Sequence, residues 1–373
     1  MTKLLHLQLL PLLSGVQNFS LHLLDGLPRD EFDIYVASAP GGELVQAVEE
    51  RGFTHIPLKN MVHPLSPQDS LAYTELLNIL RKHRFDIVHT NSSKPGLLGR
   101  LAARQLGVPL ILHTAHGTPF QQDQPRAQQL MFKRLEKLGN SLGHKTIFVN
   151  NSDRENCVSL GLLPPQKAQT IYNAVPFELA EKLGKIASER EYDPAKEDFV
   201  IGSALRFSTQ KNVLNVIGAA CQACHLEPRL RFILPGDGEY LELCRQIVKS
   251  HRLNDRIILP GWDSDITSWL GVFDAFILYS RWEAQPFSII EAMHAGLPIL
   301  GSDIPSIREL VDAETGWLVP LDAQDELVQC LVSAANPTKK AFEMGQNAAA
   351  KIRRICSYDV MVASYLKLYR EGV

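Results

Sequence analysis

The sequence predicts an α/β protein with two domains, each built around a parallel β-sheet. The chain has 373 residues, which is enough for two domains of ordinary size. Short apolar stretches of strand length alternate with helix-period stretches, and this alternation is typical of parallel sheets. Residues 274–302 read as a complete strand–helix–strand unit. Two sheets of this kind therefore form the expected core.

The composition indicates an ordinary globular protein, with 45% hydrophobic and 21% charged residues. The formal net charge of −3 gives no overall field that would recruit nucleic acid or an acidic membrane. Any phosphate site must therefore be made by local groups. The apolar run Leu4–Leu13 is interrupted, is too short to span a bilayer and lacks a signal-peptide cleavage pattern, so a cytoplasmic protein is expected.

The six cysteines predict neither a zinc site nor a structural disulfide, because they are scattered and do not form two closely spaced pairs of the kind that binds a metal. Cys221 and Cys224 form a lone C-x-x-C, but it lies in an apolar, helix-like stretch after Val213. Buried helix thiols are the favoured interpretation of this pair.

The first half of the chain contains five strand-like stretches and several helix-like ones. The strands are expected at Lys3–Leu10, Phe32–Ala37, Phe85–His89, Val108–Thr114 and Thr146–Asn150. Helices are expected at Val16–Leu24, Leu44–Arg51, Leu71–His83 and around the basic stretch Met131–Leu138. This last helix carries lysine and arginine beside apolar residues, which suits either a lipid surface or, as the favoured interpretation, an ordinary amphipathic surface helix.

The second half begins after residues 177–198, whose Glu, Lys, Ala and Arg content predicts an interdomain linker. Strands are expected at Phe199–Ala204, Leu230–Leu234, Ala275–Tyr279 and Leu297–Leu300, and a closing helix at Tyr358–Tyr369. These stretches give the second domain its own sheet.

Residues 274–302 carry the clearest chemical signal. Pro286 stands where a helix tolerates proline at its start, and Gly296 stands where a helix usually ends. A helix start at the carboxyl ends of parallel strands is a ready anion site. Glu283 and Glu291 bracket this helix start, which suits a ligand with phosphate in the middle and hydroxyl groups at both ends. A sugar nucleotide has this form.

The same stretch resembles the signature of the group 1 (family 4) retaining glycosyltransferases. The resemblance rests on Glu283, the seven-residue gap, Glu291-Ala292-Met293, Ala295-Gly296-Leu297-Pro298 and Gly316-Trp317-Leu318-Val319. It implies the GT-B fold, in which two Rossmann-like domains face a central cleft. The implied domains are residues 1–176 with the helix 358–373 on the acceptor side, and residues 199–357 on the nucleotide-sugar side. The stretch 312–319 resembles the family's closing hairpin.

The resemblance also implies roles for individual residues on the donor side. Arg206 and Lys211 would hold the diphosphate, because two fixed cations can stabilise a departing diphosphate without a metal. Glu283 would bind the sugar hydroxyls, and Glu291 the ribose. The further donor-binding candidates are Gly15, Gly236, Gly261, Trp262, Ala284, Gln285, Pro286, Phe287 and Ser288.

Some positions depart from the family pattern or have a second interpretation. Ser14 replaces the first of two family glycines before Gly15, and Ala284 stands where many relatives have glycine, which matters only if that position needs a positive φ. Trp262 has the alternative interpretation of a core residue. Gly236 lies in a tight glycine loop of the kind that lets a ligand approach the backbone.

Besides Gly15, four further candidates come from the first domain. His116, just past a strand, resembles a family histidine that contacts the donor sugar, and it completes the catalytic set with Glu283, Arg206 and Lys211. Asn91 and Ser92 follow a strand at its carboxyl end, and Asn173 lies in a loop similar to the family's Asn-Gly-Val loop. These three are acceptor-side candidates, with a plain helix cap as the alternative for Asn91 and Ser92.

The function implied is retaining transfer of a hexose or N-acetylhexosamine from a nucleotide sugar, with UDP as the expected nucleotide. The expected acceptor is a glycan or lipid-linked glycan of surface polysaccharide synthesis at the inner membrane face, and no cofactor, metal or nucleic acid is expected. Two alternatives stay open. A sugar-nucleotide 2-epimerase would convert the donor without an acceptor, and a non-catalytic sensor would bind the donor without turning it over.

Overall fold

The computed structural model divides the chain into two units. It describes residues 1–61, 66–120, 124–263, 265–336 and 338–372. Unit 1 comprises Met1–Ala174 and Tyr358–Val373, and unit 2 comprises Val175–Ser357. The basic stretch Met131–Leu138, expected as a helix, lies within the described residues, whereas residues 121–123 before it lie outside them.

Unit 1 contains a seven-stranded parallel sheet. Its strands are β1 Thr2–Leu7, β2 Phe32–Ser38, β3 Thr54–Pro57, β4 Ile87–Asn91, β5 Leu110–Ala115, β6 Lys145–Phe148 and β7 Ala168–Thr170. The strand order is β3-β2-β1-β4-β5-β6-β7. The strands β1 and β4 therefore become neighbours, with His6 beside His89 in the register.

The helices of unit 1 come from both ends of the chain. They are α1 Gly15–Asp25, α2 Glu43–Glu50, α3 Asp69–His83, α4 Ser93–Gln105, α5 Arg126–Leu142, α6 Asn151–Ser159 and the last helix of the chain, α15 Tyr358–Glu371. In α15, Tyr365 and Tyr369 are fully buried. The Tyr358 hydroxyl donates to the His22 carbonyl over 2.8 Å, so α15 packs on α1 within unit 1.

Unit 2 contains a six-stranded parallel sheet. Its strands are β8 Phe199–Gly202, β9 Leu230–Ile233, β10 Ile257–Ile258, β11 Ala275–Leu278, β12 Ile299–Ser302 and β13 Gly316–Val319. Its helices are α7 Phe177–Glu189, α8 Val213–Leu226, α9 Leu241–Ser250, α10 Ile266–Val272, α11 Phe287–His294, α12 Pro305–Arg308, α13 Gln324–Ala334 and α14 Thr338–Ile355.

The strand order of unit 2 is β10-β9-β8-β11-β12-β13. This is the Rossmann order, in which the chain reverses its direction of travel between the first and fourth strands of the unit, β8 and β11. Every residue of β8, β11 and β12 is buried, as expected for apolar strands covered by helices on both faces. The predicted α/β fold with two Rossmann-like sheets is confirmed.

Three local features differ from or refine the sequence-based expectations. The segment expected as a linker contains α7, which buries Leu183 and Ala187 and packs on α11 within unit 2. The expected closing hairpin is wrong, because β13 pairs with β12 in parallel as an edge strand. Cys221 and Cys224 are buried thiols in α8, and all six cysteines are free.

Candidate active site

The point of strand reversal in unit 2 brings two loops together. One loop follows β8 and the other follows β11, and both lie at the carboxyl edge of the sheet because the two strands are parallel. The amide of Arg281 donates to the Gln210 carbonyl over 2.8 Å, and the Gln210 side chain donates to the Trp282 carbonyl over 3.0 Å. Ligands of open α/β sheets bind in the crevice at such a reversal.

The joined loops bring a cation and an anion into contact. Lys211 Nζ lies 2.5 Å from Glu283 Oε1, and their side chains are only 18% and 8% exposed. The sequence analysis assigned Lys211 to the diphosphate and Glu283 to the sugar hydroxyls. It did not predict that the two side chains contact each other. Their contact gives the site a fixed pair of opposite charges that a ligand with phosphate and hydroxyl groups can separate.

The helix α11 begins in the same loop. Pro286 is its N-cap and Phe287 its first residue, so the helix starts one residue later than a first-turn proline would give. At the other end, Gly296 has a φ of +74°, and the amides of Gly296 and Leu297 donate to the carbonyls of Met293 and Ala292. This is a Schellman motif, which ends the helix where the sequence predicted.

The remaining residues of this loop differ in what they can offer a ligand. The side chain of Gln285 is buried, and its amide lies 3.5 Å from the Cys356 sulfur, so it anchors the loop in unit 2. Ala284 does not have a positive φ, so alanine is tolerated there. Ala284 and Ser288 are both half-buried. Among these residues, Ser288 is the one whose polar side chain the loop can present.

Glu291 lies in the middle of α11 and is half-buried. Within the described ranges it has neither a hydrogen-bond partner nor an ion-pair partner. Burial by the surrounding protein raises its pKa from 4.5 to about 7. An unpartnered carboxylate that is costly to ionise is typical of a ligand-binding group rather than of a structural one.

Arg206 is exposed at the tip of the loop after β8 and forms no ion pair with any residue that the structure describes. The backbone on either side of it is held firmly. The amide of Phe207 donates to the Asp237 carbonyl over 2.8 Å, and the amide of Leu205 donates to the Pro235 carbonyl over 3.3 Å. Arg206 is therefore a cation on a fixed backbone at the same sheet edge as Lys211.

The glycine loop after β9 explains how that backbone is fixed. Gly236 has a φ of +151°, and a β-carbon there would lie 1.8 Å from the Leu205 carbonyl oxygen. The sequence predicted that a ligand approaches Gly236, but the group that approaches is the loop that carries Arg206. The Gly236 amide also donates to the Gly261 carbonyl over 2.8 Å, which joins the loops after β9 and β10.

Gly236→Ala is expected to lower the free energy of unfolding by about 2 to 3 kcal/mol, because it combines a backbone clash with a strained φ. Chemical denaturation measures the loss. The matched control is Gly271→Ala, since a β-carbon at Gly271 in α10 meets nothing within 4 Å. A Gly236→Ala protein as stable as the control would contradict this account of the loop.

Trp262 follows Gly261 and is 73% exposed, so its interpretation as a core residue is wrong. Gly261 has a φ of +96°, which only glycine adopts without strain. The turn therefore points the indole of Trp262 away from the packed interior of unit 2. An exposed aromatic ring beside the sheet edge is available for stacking on a base.

In unit 1, His116 and Asn91 contact each other. His116 Nε2 lies 3.0 Å from Asn91 Oδ1, and the Phe19 ring packs edge-on at 4.8 Å between centroids. Burial lowers the pKa of His116 to about 3, so the ring is neutral at physiological pH. A neutral imidazole at the end of β5 can form a hydrogen bond without carrying charge.

The acceptor-side candidates receive a correction. Asn91 is fully buried, and its amide is occupied by His116, by His6 and by the Leu7 carbonyl, so it does not present a group to an acceptor. Asn173 is also buried. Ser92, with a φ of +63°, is the residue before α4 and remains half-exposed. Gly15 is exposed as the first residue of α1.

A cavity of about 570 Å³ lies in unit 1 at the carboxyl edge of its sheet. Six apolar residues line it, namely Leu9, Leu10, Leu97, Pro119, Phe132 and Leu135. The polar groups of its wall are Ser92, Ser93, Lys94 and Glu136. The cavity wall is thus mainly apolar, with a few polar groups that include Ser92.

Sequence reasoning missed this cavity and the two histidines behind Asn91. The basic helix α5 was expected at the surface, but Phe132 and Leu135 turn inward to the cavity. His6 and His89 lie in strands and are fully buried. Their contact arises from the register of β1 against β4, and a single sequence carries no direct signal for that register.

The described residues are also informative about metal binding and membrane crossing. Within them, no group of three or more His, Cys, Asp or Glu side chains is arranged to hold a metal ion. Across the same part of the chain, the helices lack the combination of length and apolar character that crossing a membrane requires.

Comparisons with known proteins identify close relations along almost the whole chain. The family described as Glycosyltransferase Family 4 matches residues 13–179, and the family described as Glycosyl transferases group 1 matches residues 185–351. An Escherichia coli protein named UDP-Gal:alpha-D-GlcNAc-diphosphoundecaprenol alpha-1,3-galactosyltransferase is 34% identical over 358 residues, which cover 94% of this chain and 92% of that protein.

Two further likenesses are more distant. The N-acetyl-alpha-D-glucosaminyl L-malate synthase of Bacillus anthracis is 22% identical over 81% of this chain and 79% of its own length. The crystal structure of Anabaena HepE in complex with UDP and glucose superposes with a TM-score of 0.82 at 18% identity and covers 100% of both chains. At that identity the superposition shows a shared fold.

Proposed function

The chain belongs to family 4 of the glycosyltransferases, in group 1, and we propose that it is a retaining enzyme that moves a hexose or N-acetylhexosamine from a UDP-sugar to a lipid-linked glycan. That it transfers a sugar follows from the family. The nucleotide and the lipid-linked acceptor are supported by the Escherichia coli relative, whose name contains UDP-Gal and a diphosphoundecaprenol. Galactose is therefore the first sugar to test.

The contact between Lys211 and Glu283 is the observation that carries the proposal. The two residues meet at 2.5 Å at the reversal point of unit 2, beside the start of α11. When a UDP-sugar binds, its diphosphate competes for the Lys211 ammonium, and Glu283 then accepts hydrogen bonds from the sugar hydroxyls. Arg206 supplies a second cation, and Glu291 accepts from the ribose hydroxyls.

The proposed reaction needs no nucleophile from the protein. The acceptor hydroxyl oxygen forms the new bond to the anomeric carbon on the face that the diphosphate leaves. The bond between that carbon and the phosphate oxygen breaks, and the acceptor proton passes to the same phosphate oxygen. Lys211 and Arg206 stabilise the charge that develops on the diphosphate, which is the contribution that a metal would otherwise make.

The decisive experiment incubates the purified protein with UDP-galactose, UDP-glucose or UDP-N-acetylglucosamine and a lipid diphosphate-linked N-acetylglucosamine. Mass spectrometry identifies the product, and the coupling constant of its anomeric proton gives the stereochemistry. An α-linked product supports the proposal. A β-linked product, an epimerised UDP-sugar formed without acceptor, or tight binding of UDP-sugars without transfer to any glycan acceptor would overturn it.

The apolar cavity of unit 1 supports a lipid-linked acceptor. Its wall combines side chains suited to isoprenoid units with Ser92 and Ser93, which precede and begin α4. These polar groups suit the diphosphate that joins lipid to sugar. The acceptor is anchored in a membrane, so we propose that the enzyme works at a membrane surface in the synthesis of a surface polysaccharide.

Leu135→Gln is expected to raise the KM for a polyprenyl diphosphate-linked acceptor about tenfold, because it removes one apolar contact from the cavity wall. The KM for an acceptor with a short alkyl chain should change little. Leu138→Gln is the matched control, since Leu138 lies on the same helix, is 48% exposed and does not line the cavity. Equal effects of Leu135→Gln on both acceptors would contradict binding of the lipid there.

A further inference from the structure

A chain of buried hydrogen bonds leads from His116 into the core of unit 1. Asn91 Oδ1 lies 3.0 Å from His116 Nε2, Asn91 Nδ2 lies 3.2 Å from His6 Nδ1, and His6 Nε2 lies 3.0 Å from His89 Nδ1. Asn91, His6 and His89 are fully buried. Together with His116, these three residues are called the histidine chain.

The direction of the histidine chain is fixed at Asn91. The Leu7 carbonyl lies 3.4 Å from Asn91 Nδ2, and a carbonyl can only accept a hydrogen bond. The amide nitrogen therefore faces Leu7 and His6, and the amide oxygen faces His116. Because that oxygen also only accepts, His116 Nε2 must carry the hydrogen.

The same reasoning continues inward from Asn91. His6 accepts at Nδ1, so its hydrogen is on Nε2 and is donated to His89 Nδ1. His89 then carries its hydrogen on Nε2, which lies 2.7 Å from Thr114 Oγ1. The Tyr369 hydroxyl of α15 also lies 2.6 Å from His89 Nδ1. The contacts are thus consistent with one tautomer throughout.

A positive charge is excluded from this chain at physiological pH. Burial lowers the pKa of His6 and of His116 to about 3 and that of His89 well below its ordinary value. The titratable groups that face His116 are His6 on β1, His89 on β4 and His113 on β5. A positive charge on any one of these rings would make a positive charge on a neighbouring ring less favourable.

The other ring nitrogen of His116 is open. Among the residues that the structure describes, Nδ1 has no hydrogen-bond partner, and the ring is only half-buried. Phe19 packs edge-on against the ring and limits its rotation. A neutral imidazole with hydrogen on Nε2 offers only a lone pair at Nδ1, so it accepts hydrogen bonds there and donates none.

We propose that Asn91, backed by His6 and His89, is a positioning residue that holds His116 with its hydrogen on Nε2 and presents Nδ1 as an acceptor for a substrate hydroxyl. The substrate contact rests on the proposed function, whereas the tautomer does not. Histidine at this place then selects a hydroxyl donor and rejects a group that can only accept. The histidine chain extends the site by three residues that never touch the substrate.

The wild-type protein provides the first test. In protein with ¹⁵N-labelled histidine, two-bond proton–nitrogen spectra near neutral pH distinguish the two neutral tautomers and the charged ring, and the signal missing from His116→Phe assigns His116. We expect a protonated Nε2 and an unprotonated Nδ1. Hydrogen on Nδ1, or a charged ring, would overturn the proposal whether or not sugar transfer is detected.

Asn91→Asp provides the second test, because a carboxylate beside His116 favours the charged ring and turns Nδ1 into a donor. We expect kcat/KM to fall about tenfold or more at neutral pH and to recover as the pH rises. The kcat/KM of the wild-type enzyme should not show this rise with pH. A fall in kcat/KM with an unchanged pH profile would overturn the positioning role.

The matched control is Asn140→Asp. Asn140 is another buried asparagine of unit 1, and its Oδ1 accepts from Arg100 over 2.9 Å and from Thr146 over 2.9 Å, contacts that a carboxylate keeps. It has no contact with the histidine chain. This variant should keep the wild-type pH profile. If Asn91→Asp does not fold, the wild-type spectrum alone decides the proposal.

Discussion

Glu283→Gln and Lys211→Met are each expected to lower kcat for sugar transfer about a hundredfold or more. In the reaction that we propose, each change removes a charge that acts on the donor in the transition state, Lys211 on the diphosphate and Glu283 on the sugar. The fold should survive, since the pair lies at a loop edge and both side chains keep some exposure. Initial rates at saturating UDP-sugar and unfolding midpoints measure the two effects separately.

Lys196→Met is the control for this prediction. Lys196 forms a similar contact, 2.6 Å from Asp274, but before β11, at the opposite edge of the same sheet. Its loss should leave kcat near the wild-type value. The double change of Glu283 and Lys211 separates the two explanations. A double variant that regains most of the wild-type rate would show that Lys211 and Glu283 serve only to neutralise each other's charge. It would contradict a direct action of either residue on the substrate.

The affinity of the wild-type enzyme for a UDP-sugar is expected to fall about tenfold per pH unit below about pH 7. The pKa of Glu291 is about 7 in the structure, and only the ionised carboxylate accepts hydrogen bonds from two ribose hydroxyls. Below this pH, binding must first remove a proton. A UDP-sugar is the right probe, because its diphosphate has no proton to lose in this range. Calorimetry across this range measures the slope.

Glu291→Gln should bind the UDP-sugar weakly and without this slope. The variant should also be more stable at about pH 8, by about 1 to 2 kcal/mol, because the ionised carboxylate is poorly solvated in the folded protein. The folded pKa lies above the ordinary value of 4.5. The destabilisation is therefore absent below about pH 4.5 and complete above about pH 7.

The exposed Glu326 of α13 supplies the control, since Glu326→Gln should change neither the affinity nor the stability at either pH. Chemical denaturation at about pH 5 and about pH 8 measures the difference for both variants. A Glu291→Gln protein that is less stable than wild type at the higher pH, or that keeps the slope in affinity, would contradict the assignment to the ribose.

Much of the fold follows from local sequence, because a strand buried on both faces needs a continuous apolar run. The strands β11 and β12, the helix between them and the glycine that ends it are all predicted from residues 274–302. The strands β3 and β13 are harder, since they are short edge strands with partly exposed residues. Their position depends on a neighbour that the sequence does not identify.

The features of the site likewise differ in whether local sequence can identify them. Glu283, Glu291, Arg206 and Lys211 are found from motifs because each lies a fixed distance from a strand end. Contacts between loops are not found this way. That Lys211 reaches Glu283, or that the Leu205 carbonyl fills the space beside Gly236, depends on which strands become neighbours. Asn91 shows the difference most clearly, since its polar side chain at a strand end is turned inward to His6.

The placement of α15 has a consequence for how the chain is made. The hydroxyl groups of Tyr365 and Tyr369 form hydrogen bonds with Thr114 and His89. Thr114 and His89 lie in strands that are synthesised long before the two tyrosines. Those polar groups have no tyrosine partner until the last helix has been synthesised. Unit 2 lies wholly within Val175–Ser357 and can complete itself earlier. The sheet of unit 1 is thus translated before unit 2 but gains these hydrogen bonds only after unit 2 has been translated.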